Sequence, residues 1–325
     1  MERFEREPNT IYVLSLSYGK DSLACLGAIE ELGLPLDYII HAEVWATDTI
    51  PADLPPMVEF KNKADKIIYD LYGIKVERTC ATIQDGDATF EKYFYTKTNT
   101  EKYGEHIYGF PKRNGAWCVE RLKQNALTET NLKKLTFEKY FYREYKNKDS
   151  ICGFPMSVGG GQWCTQLKTR YCDYTPKNAK GFNIVQYLGI ASDEPERVAR
   201  HEKKKNIMLP LVMAGWNEEK CRKWCEERDL LSPIYTTATR GGCWFCHNQG
   251  VKQLRLLRKN YPDLWALLMK WDLDSPTNFD AHGYTVHDFD KRFEMEDKGI
   301  VKETDIWYWK YLKQPPKKQI SLFEK

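Results

Sequence analysis

The sequence predicts an α/β fold built on a parallel twisted sheet with helices on both faces, and three stretches carry that expectation. Residues 11–16 form a short, apolar, β-branched run that reads as a buried strand. That run passes directly into a polar loop, Ser17-Tyr18-Gly19-Lys20-Asp21-Ser22. Beyond the loop Leu23, Leu26, Ile29 and Leu32 share one helical stripe, and Gly33 fits the stop. The alternation then repeats, with an apolar run over 38–45, a helix over 55–71 and a strand over 75–80. Strands that alternate with helices pair in parallel, because each helix carries the chain back to the same end of the sheet.

Further along, residues 183–190 read as another strand, 217–228 as a helix, 239–250 as a Gly- and Cys-rich loop, and 251–271 as a helix. The middle holds a duplication. Phe90-Glu91-Lys92-Tyr93-Phe94-Tyr95 recurs as Phe137-Glu138-Lys139-Tyr140-Phe141-Tyr142. Each copy leads to Gly-Phe-Pro and then to Trp-Cys, at Trp117-Cys118 and Trp163-Cys164. Two copies are too few for a solenoid. They read either as two Cys-bearing segments near one site or as two helical hairpins with no shared chemistry. The expected organisation is a domain over 1–250 with the duplicated segment 90–170 inserted, a helical C-terminal region over 251–313, and a linker and tail over 314–325.

The chain has 325 residues, 42% of them hydrophobic, which suffices for a sizeable core. Its 49 basic and 46 acidic residues nearly cancel to +3, so a nucleic-acid contact would need a local patch. No apolar run approaches the ~20 residues of a membrane helix. The charged start, Met1-Glu2-Arg3-Phe4-Glu5-Arg6, has no signal-peptide character. A cytoplasmic location is therefore expected, and with it reduced cysteines: metal or catalytic roles rise for the 10 present.

A strand, a Gly-containing polar loop and a helix together make an anion site. Loop amides and the helix N-terminus point at phosphate, Lys20 adds a mobile charge, and Ser17 and Ser22 supply hydroxyls. The loop is not a Walker A motif. Ser-Tyr-Gly-Lys-Asp-Ser resembles the Ser-x-Gly-Lys-Asp-Ser loop of the PP-loop ATP pyrophosphatases. Other stretches match in order: Asp48-Thr49; Trp163-Cys164 with Leu167-Lys168; Gly189 through Asp193-Glu194 to Arg197 and Arg200; and Pro210-Leu211 followed by Trp216. Over roughly residues 10–250 the chain thereby resembles the phosphoadenylylsulfate (PAPS) reductase family. That family includes the ATP sulfurylase small subunit and the sulfur-transfer proteins of DNA phosphorothioation.

The resemblance implies an adenine nucleotide α-hydrolase-like fold. It further implies ATP held by Ser17, Tyr18, Gly19, Lys20, Asp21 and Ser22, with Asp48, Thr49, Asp193 and Glu194 completing the site and adenine near residues 41–43. Lys20, Asp21, Lys168 and Arg197 are its candidate catalytic residues, and Mg²⁺ would bridge the pyrophosphate. Without the motif match, Lys168 and Arg197 would read as solvated surface charges. The implied activity is cleavage at the α-phosphate, adenylylating an acceptor for sulfur transfer, with a sulfur donor as partner and nucleic acid among the acceptors. One alternative is a PAPS or adenylylsulfate reductase. The chain lacks the Glu-Cys-Gly-Leu-His segment that carries the reductase nucleophile, which counts against it. A non-catalytic nucleotide-binding partner of the replication machinery is the other.

Cys243-Trp244-Phe245-Cys246 on a Gly-flanked turn reads as a metal half-site. With Cys164 it resembles family members that carry an iron–sulfur cluster. A [4Fe–4S] site would take Cys118 or Cys172 as its fourth ligand. Zn²⁺ on Cys164, Cys243, Cys246 and His247 is the rival. Cys25, Cys80, Cys152, Cys221 and Cys225 read as small buried apolar residues. At the tail, Gln319-Ile320-Ser321-Leu322-Phe323 follows Pro315-Pro316-Lys317-Lys318 and resembles the peptide by which bacterial proteins dock on the DNA sliding clamp.

Overall fold

The computed structural model describes residues 4–7, 10–83, 86–112 without 101–103, 115–128, 132, 163–164, 169–170, 183–237, 242–280 and 282–305. The chain divides into two units. The first comprises Met1–Glu43, Pro55–Ala81 and Lys123–Tyr235, and the second Val44–Leu54, Thr82–Leu122 and Thr236–Lys325.

The first unit is organised by β1 (Thr10–Ser15), α1 (Lys20–Glu31), β2 (Tyr38–Ala42), α2 (Pro55–Tyr72) and β3 (Val76–Thr79). Together with the strands Asn183–Leu188 and Ile207–Met208 they give a five-stranded sheet, and every pair in it is parallel. Its order is Ile207–Met208, Asn183–Leu188, β1, β2, β3. The apolar run of β1 is buried because it lies at the centre, hydrogen-bonded on both sides. From β1 the chain steps outward through β2 to β3, while the later strands add on the other side. Strand order thus reverses beside β1, where its C-terminal end adjoins that of Asn183–Leu188. In open parallel sheets such a reversal leaves a crevice at the strands' carboxyl ends.

Helix α1 begins at Lys20, so the last three residues of the polar loop form its first turn. It is buried from Ser22 to Ile29, deeper than a single stripe implies. The helix Glu218–Glu227 crosses it closely at Gly27: a Cβ there would lie 2.3 Å from Trp224 Nε1 and 2.8 Å from the Trp216 ring. Asn217 caps Glu218–Glu227, its side chain accepting from the Lys220 amide. The second strand is shorter than its apolar run, ending at Ala42, and residues 44–54 belong to the second unit.

In the second unit Phe90–Phe94 forms a short helix capped by Thr89. Phe90 packs on Trp117, Phe245 and Trp271 at centroid distances of 5.2, 4.2 and 5.1 Å. The rings of the first repeat copy are thus core anchors, and the second copy lies outside the described residues. The helix expected over 251–271 is two helices, Val251–Asn260 and Pro262–Asp274. Pro262 has no amide hydrogen to continue the first, so it starts the second. A third, Val286–Asp297, follows. Arg255 pairs with Glu296 and Glu303, and Arg258 with Asp290 and Asp297. Arg255 and Arg258 thus tie Val251–Asn260 to Val286–Asp297. No helix among the described residues is long and apolar enough to cross a membrane.

Candidate functional site

The loop between β1 and α1 is braced by its own serines. Ser22 Oγ donates to Gly19 O at 2.9 Å and accepts from the Ser17 amide at 3.1 Å and Ser17 Oγ at 3.0 Å. Hydroxyls expected to face a ligand therefore close the loop on itself. Leu23 makes the first intrahelical bond, to Gly19 O at 3.0 Å, which leaves the amides of Lys20, Asp21 and Ser22 as the helix's orphan donors. Lys20 Nζ lies 2.7 Å from Asp21 Oδ1 and 3.1 Å from Glu218 Oε2. Burial opposes the ammonium, but these carboxylates outweigh it and hold Lys20 above the usual lysine range. Burial raises the Asp21 carboxyl, Lys20 opposes the rise, and the charges of Glu218 and Glu194 add to it. Tyr235 was not singled out by the sequence, yet its hydroxyl accepts from the Lys20 amide at 3.0 Å.

Tyr18 carries the loop's unusual backbone, with φ of 56°. A left-handed conformation costs a non-glycine residue on the order of 1 kcal/mol or more, so something must hold it. The ring is fully buried beneath the loop. Its hydroxyl donates to Asp65, it meets His41 edge-on at 4.8 Å, and Lys61 Nζ lies 5.5 Å from its centroid. His41 Nδ1 lies 2.8 Å from Leu16 O, a carbonyl that only accepts, so Nδ1 carries the proton. Nε2 then accepts from Lys61 Nζ at 2.9 Å, and the same ammonium meets Glu43 Oε1 at 2.7 Å. Arg78 completes the group, 2.7 Å from Asp65 and 3.8 Å from Glu43. His41 is thus a strut beneath the loop, whatever lies at the end of the second strand.

Burial, then the charge of Lys61, lowers the His41 pKa from 6.5 to about 3. The fold therefore refuses a proton that the unfolded chain accepts below 6.5. Stability is lost as pH falls through that window, by up to about 1.4 kcal/mol per pH unit. Urea midpoints at about pH 7 and about pH 5 are expected to differ more in the wild type than in His41→Gln. Equal differences would exclude His41 as the source.

The strand Asn183–Leu188 delivers the third motif to the same end of the sheet. A Cβ on Gly189 would lie 2.5 Å from Ser22 Cα and 2.6 Å from Asp21 O and Ser22 N, so only glycine lets this turn abut the first turn of α1. Asp193 Oδ1 accepts from the Glu218 amide at 3.1 Å. Glu194 takes both short bonds from Arg197, at 2.6 and 2.7 Å, which leaves that guanidinium half exposed and paired. The loop, Gly189, Asp193, Glu194 and Glu218 thus converge. Lys168 lies outside the described residues. Asp48 and Thr49 belong to the second unit, where Asp48 pairs with Lys92 at 2.6 Å and the Thr49 amide donates to Thr47 Oγ1 at 3.3 Å.

Cys25, Cys221 and Cys225 are buried behind the loop, and Cys225 Sγ donates to Lys20 O at 3.3 Å. Burial pushes the Cys221 and Cys225 thiols up to about 12, so they pack as neutral apolar groups. Cys118, Cys243 and Cys246 belong to the second unit. The two residues between Cys243 and Cys246 are anchors. Trp244 donates through its ring nitrogen to Pro51 O at 3.0 Å and stacks on Trp271, while Phe245 packs on Phe90. Among the described residues no three His, Cys, Asp or Glu side chains converge as a metal would require. The side chains of Cys164 and Cys172, the other cysteines of the expected cluster, lie outside the described residues. The chain matches no family model and no curated protein.

Proposed function

We propose that the chain binds ATP at Ser17–Ser22 and transfers its adenylyl group to an acceptor hydroxyl. The acceptor oxygen bonds to the α-phosphorus, pyrophosphate leaves, and the hydroxyl proton passes to solvent. A sulfur nucleophile then displaces AMP. The observation that carries this reading is the position of the loop. It follows the central strand of a parallel sheet, at the carboxyl end, beside the reversal of strand order. There the orphan amides of α1, the α1 N-terminus and the Lys20 ammonium face one end of the sheet, a set of donors suited to polyphosphate. Lys20 is assigned to neutralise charge as pyrophosphate departs, and Arg197, once released from Glu194, to assist it. Asp48, Thr49 and Lys168 belong to the proposal through the motif resemblance alone. A nucleic-acid acceptor belongs to it likewise, clamp docking by Gln319–Phe323 through the likeness of the tail peptide, and a cytoplasmic location through the charged start and the lack of a long apolar run. Mg²⁺ on the pyrophosphate and a metal or cluster on Cys118, Cys164, Cys243 and Cys246 belong to the proposal through the resemblance alone.

Lys20→Ala is expected to lower pyrophosphate release from ATP by about 100-fold or more, the scale of losing one charge-stabilising donor. Radiolabelled ATP resolved by chromatography measures it, and it also separates pyrophosphate from phosphate release. Turnover that survives the substitution would sink the reading.

A further inference from the structure

We infer that Tyr235 and Glu218 form a latch over the phosphate loop, two oxygens of the chain itself standing where ligand oxygens would bind. The inference rests on the reading of Ser17–Ser22 as a phosphate site and adds how that site is regulated and which anions it selects. The first orphan donor of α1, the Lys20 amide, is taken by the Tyr235 hydroxyl at 3.0 Å. The loop's mobile cation, Lys20 Nζ, is taken by Glu218 Oε2 at 3.1 Å as well as by its neighbour Asp21. A phenol oxygen on an amide and a carboxylate oxygen on an ammonium are acceptors of the kind a phosphate brings.

The two occupants are held differently. Glu218 is the first residue of its helix, held there by its backbone amide on Asp193, and its side chain is 51% exposed. Rotation of that side chain alone opens one side of the Lys20 ammonium, which Asp21 still holds at 2.7 Å. Tyr235 lies in the short helix Ile234–Thr237, with its amide bonded to Ser232 O. Its oxygen would be 3.6 Å from a Cβ at Gly19, so the phenol lies over the loop itself. Burial holds the Tyr235 phenol above its ordinary range, so it is an uncharged acceptor that an anion outcompetes. The Glu218 carboxylate is different. As an anion it competes with the ligand for the Lys20 ammonium, and an anion of higher charge competes better. The latch therefore discriminates against weakly charged anions and admits di- and triphosphates.

Tyr235→Phe removes the phenol oxygen and Glu218→Gln removes the carboxylate charge, each keeping size and shape. Calorimetric titration of the full chain with inorganic pyrophosphate, and separately with inorganic phosphate, reads the effect. Each variant is expected to bind pyrophosphate roughly 3–10-fold more tightly than the wild type, the scale of one competing hydrogen bond. Glu218→Gln is also expected to narrow the preference for pyrophosphate over phosphate. Melting curves that superpose on the wild type show that packing is retained. Wild-type binding that Lys20→Ala abolishes, with neither variant binding more tightly, overturns the latch and leaves the phosphate site standing. Absence of pyrophosphate binding in the wild type and in both variants overturns both. Tightening in one variant alone removes the other residue from the latch.

Discussion

An alanine at Gly189 is expected to lower the melting temperature by roughly 4–5 °C, the effect of about 3 kcal/mol in a chain of this size. The cause is local and steric. The added Cβ would lie 2.5 to 2.6 Å from Ser22 Cα, Asp21 O and Ser22 N, all of them main-chain atoms in the first turn of α1. A side chain could rotate aside, whereas this turn is fixed by the Leu23–Gly19 bond and by the Ser22 hydroxyl brace. Relief must come from the strand Asn183–Leu188 or from α1 moving away, and either movement spoils the loop. ATP binding should be lost with the stability. Gly19→Ala supplies the contrast. Gly19 has φ of −76° and ψ of 156°, which any residue adopts, and its Cβ would meet only Ser17 Oγ at 3.5 Å and Tyr235 Oη at 3.6 Å. That variant is expected to melt within ~1 °C of the wild type while binding ATP less well, because the added methyl stands where phosphate approaches. Differential scanning calorimetry with nucleotide titration measures both. A Gly189→Ala protein that melts with the wild type would refute the packing argument.

The contrast also shows what was legible in the sequence. Strand, loop and helix at 11–32 were readable because a buried parallel strand is a continuous apolar run and the helix repeats apolar residues at its own spacing. Gly189 could be paired with the loop by motif order, but its steric reason lies in a contact about 170 positions away in the chain, which no local pattern encodes. Tyr235 and Glu218 were missed for the same reason. A tyrosine after Ser-Pro and a glutamate opening a helix are ordinary locally, and only the tertiary fold brings their oxygens to Lys20. The Ser hydroxyls were read as ligand donors because side-chain type is visible in a sequence and rotamer is not. In Cys243-Trp244-Phe245-Cys246 the cysteines drew attention, yet the intervening rings explain why the turn lies where it does, against Trp271 and Phe90. The break at Pro262 was present in the sequence and follows from proline's missing donor alone.

Lys61→Met should destabilise the protein by about 3–5 kcal/mol, the range for removing one member of a buried ion pair. Lys61 is 2% exposed, and its ammonium meets Glu43 at 2.7 Å and His41 at 2.9 Å. Methionine keeps the length and apolar bulk of the stem, so packing is nearly conserved and the electrostatic loss is isolated. Glu43 is left with Arg78 at 3.8 Å, and His41 Nε2 loses the donor that matched its bare nitrogen. Both defects lie next to Tyr18, whose left-handed backbone holds the loop in shape only while its ring stays seated. Loss of stability and loss of ATP affinity should therefore appear together. The pair can be separated from a general core defect by adding Glu43→Gln. Neutralising the orphaned carboxylate should recover a large part of the lost stability, since replacing both partners costs far less than removing one. Equilibrium urea unfolding of the two single variants and the double variant closes the cycle. A double variant as unstable as the sum of the singles would mean that Lys61 and Glu43 act independently, and the buried network would then not be what seats Tyr18 beneath the phosphate loop.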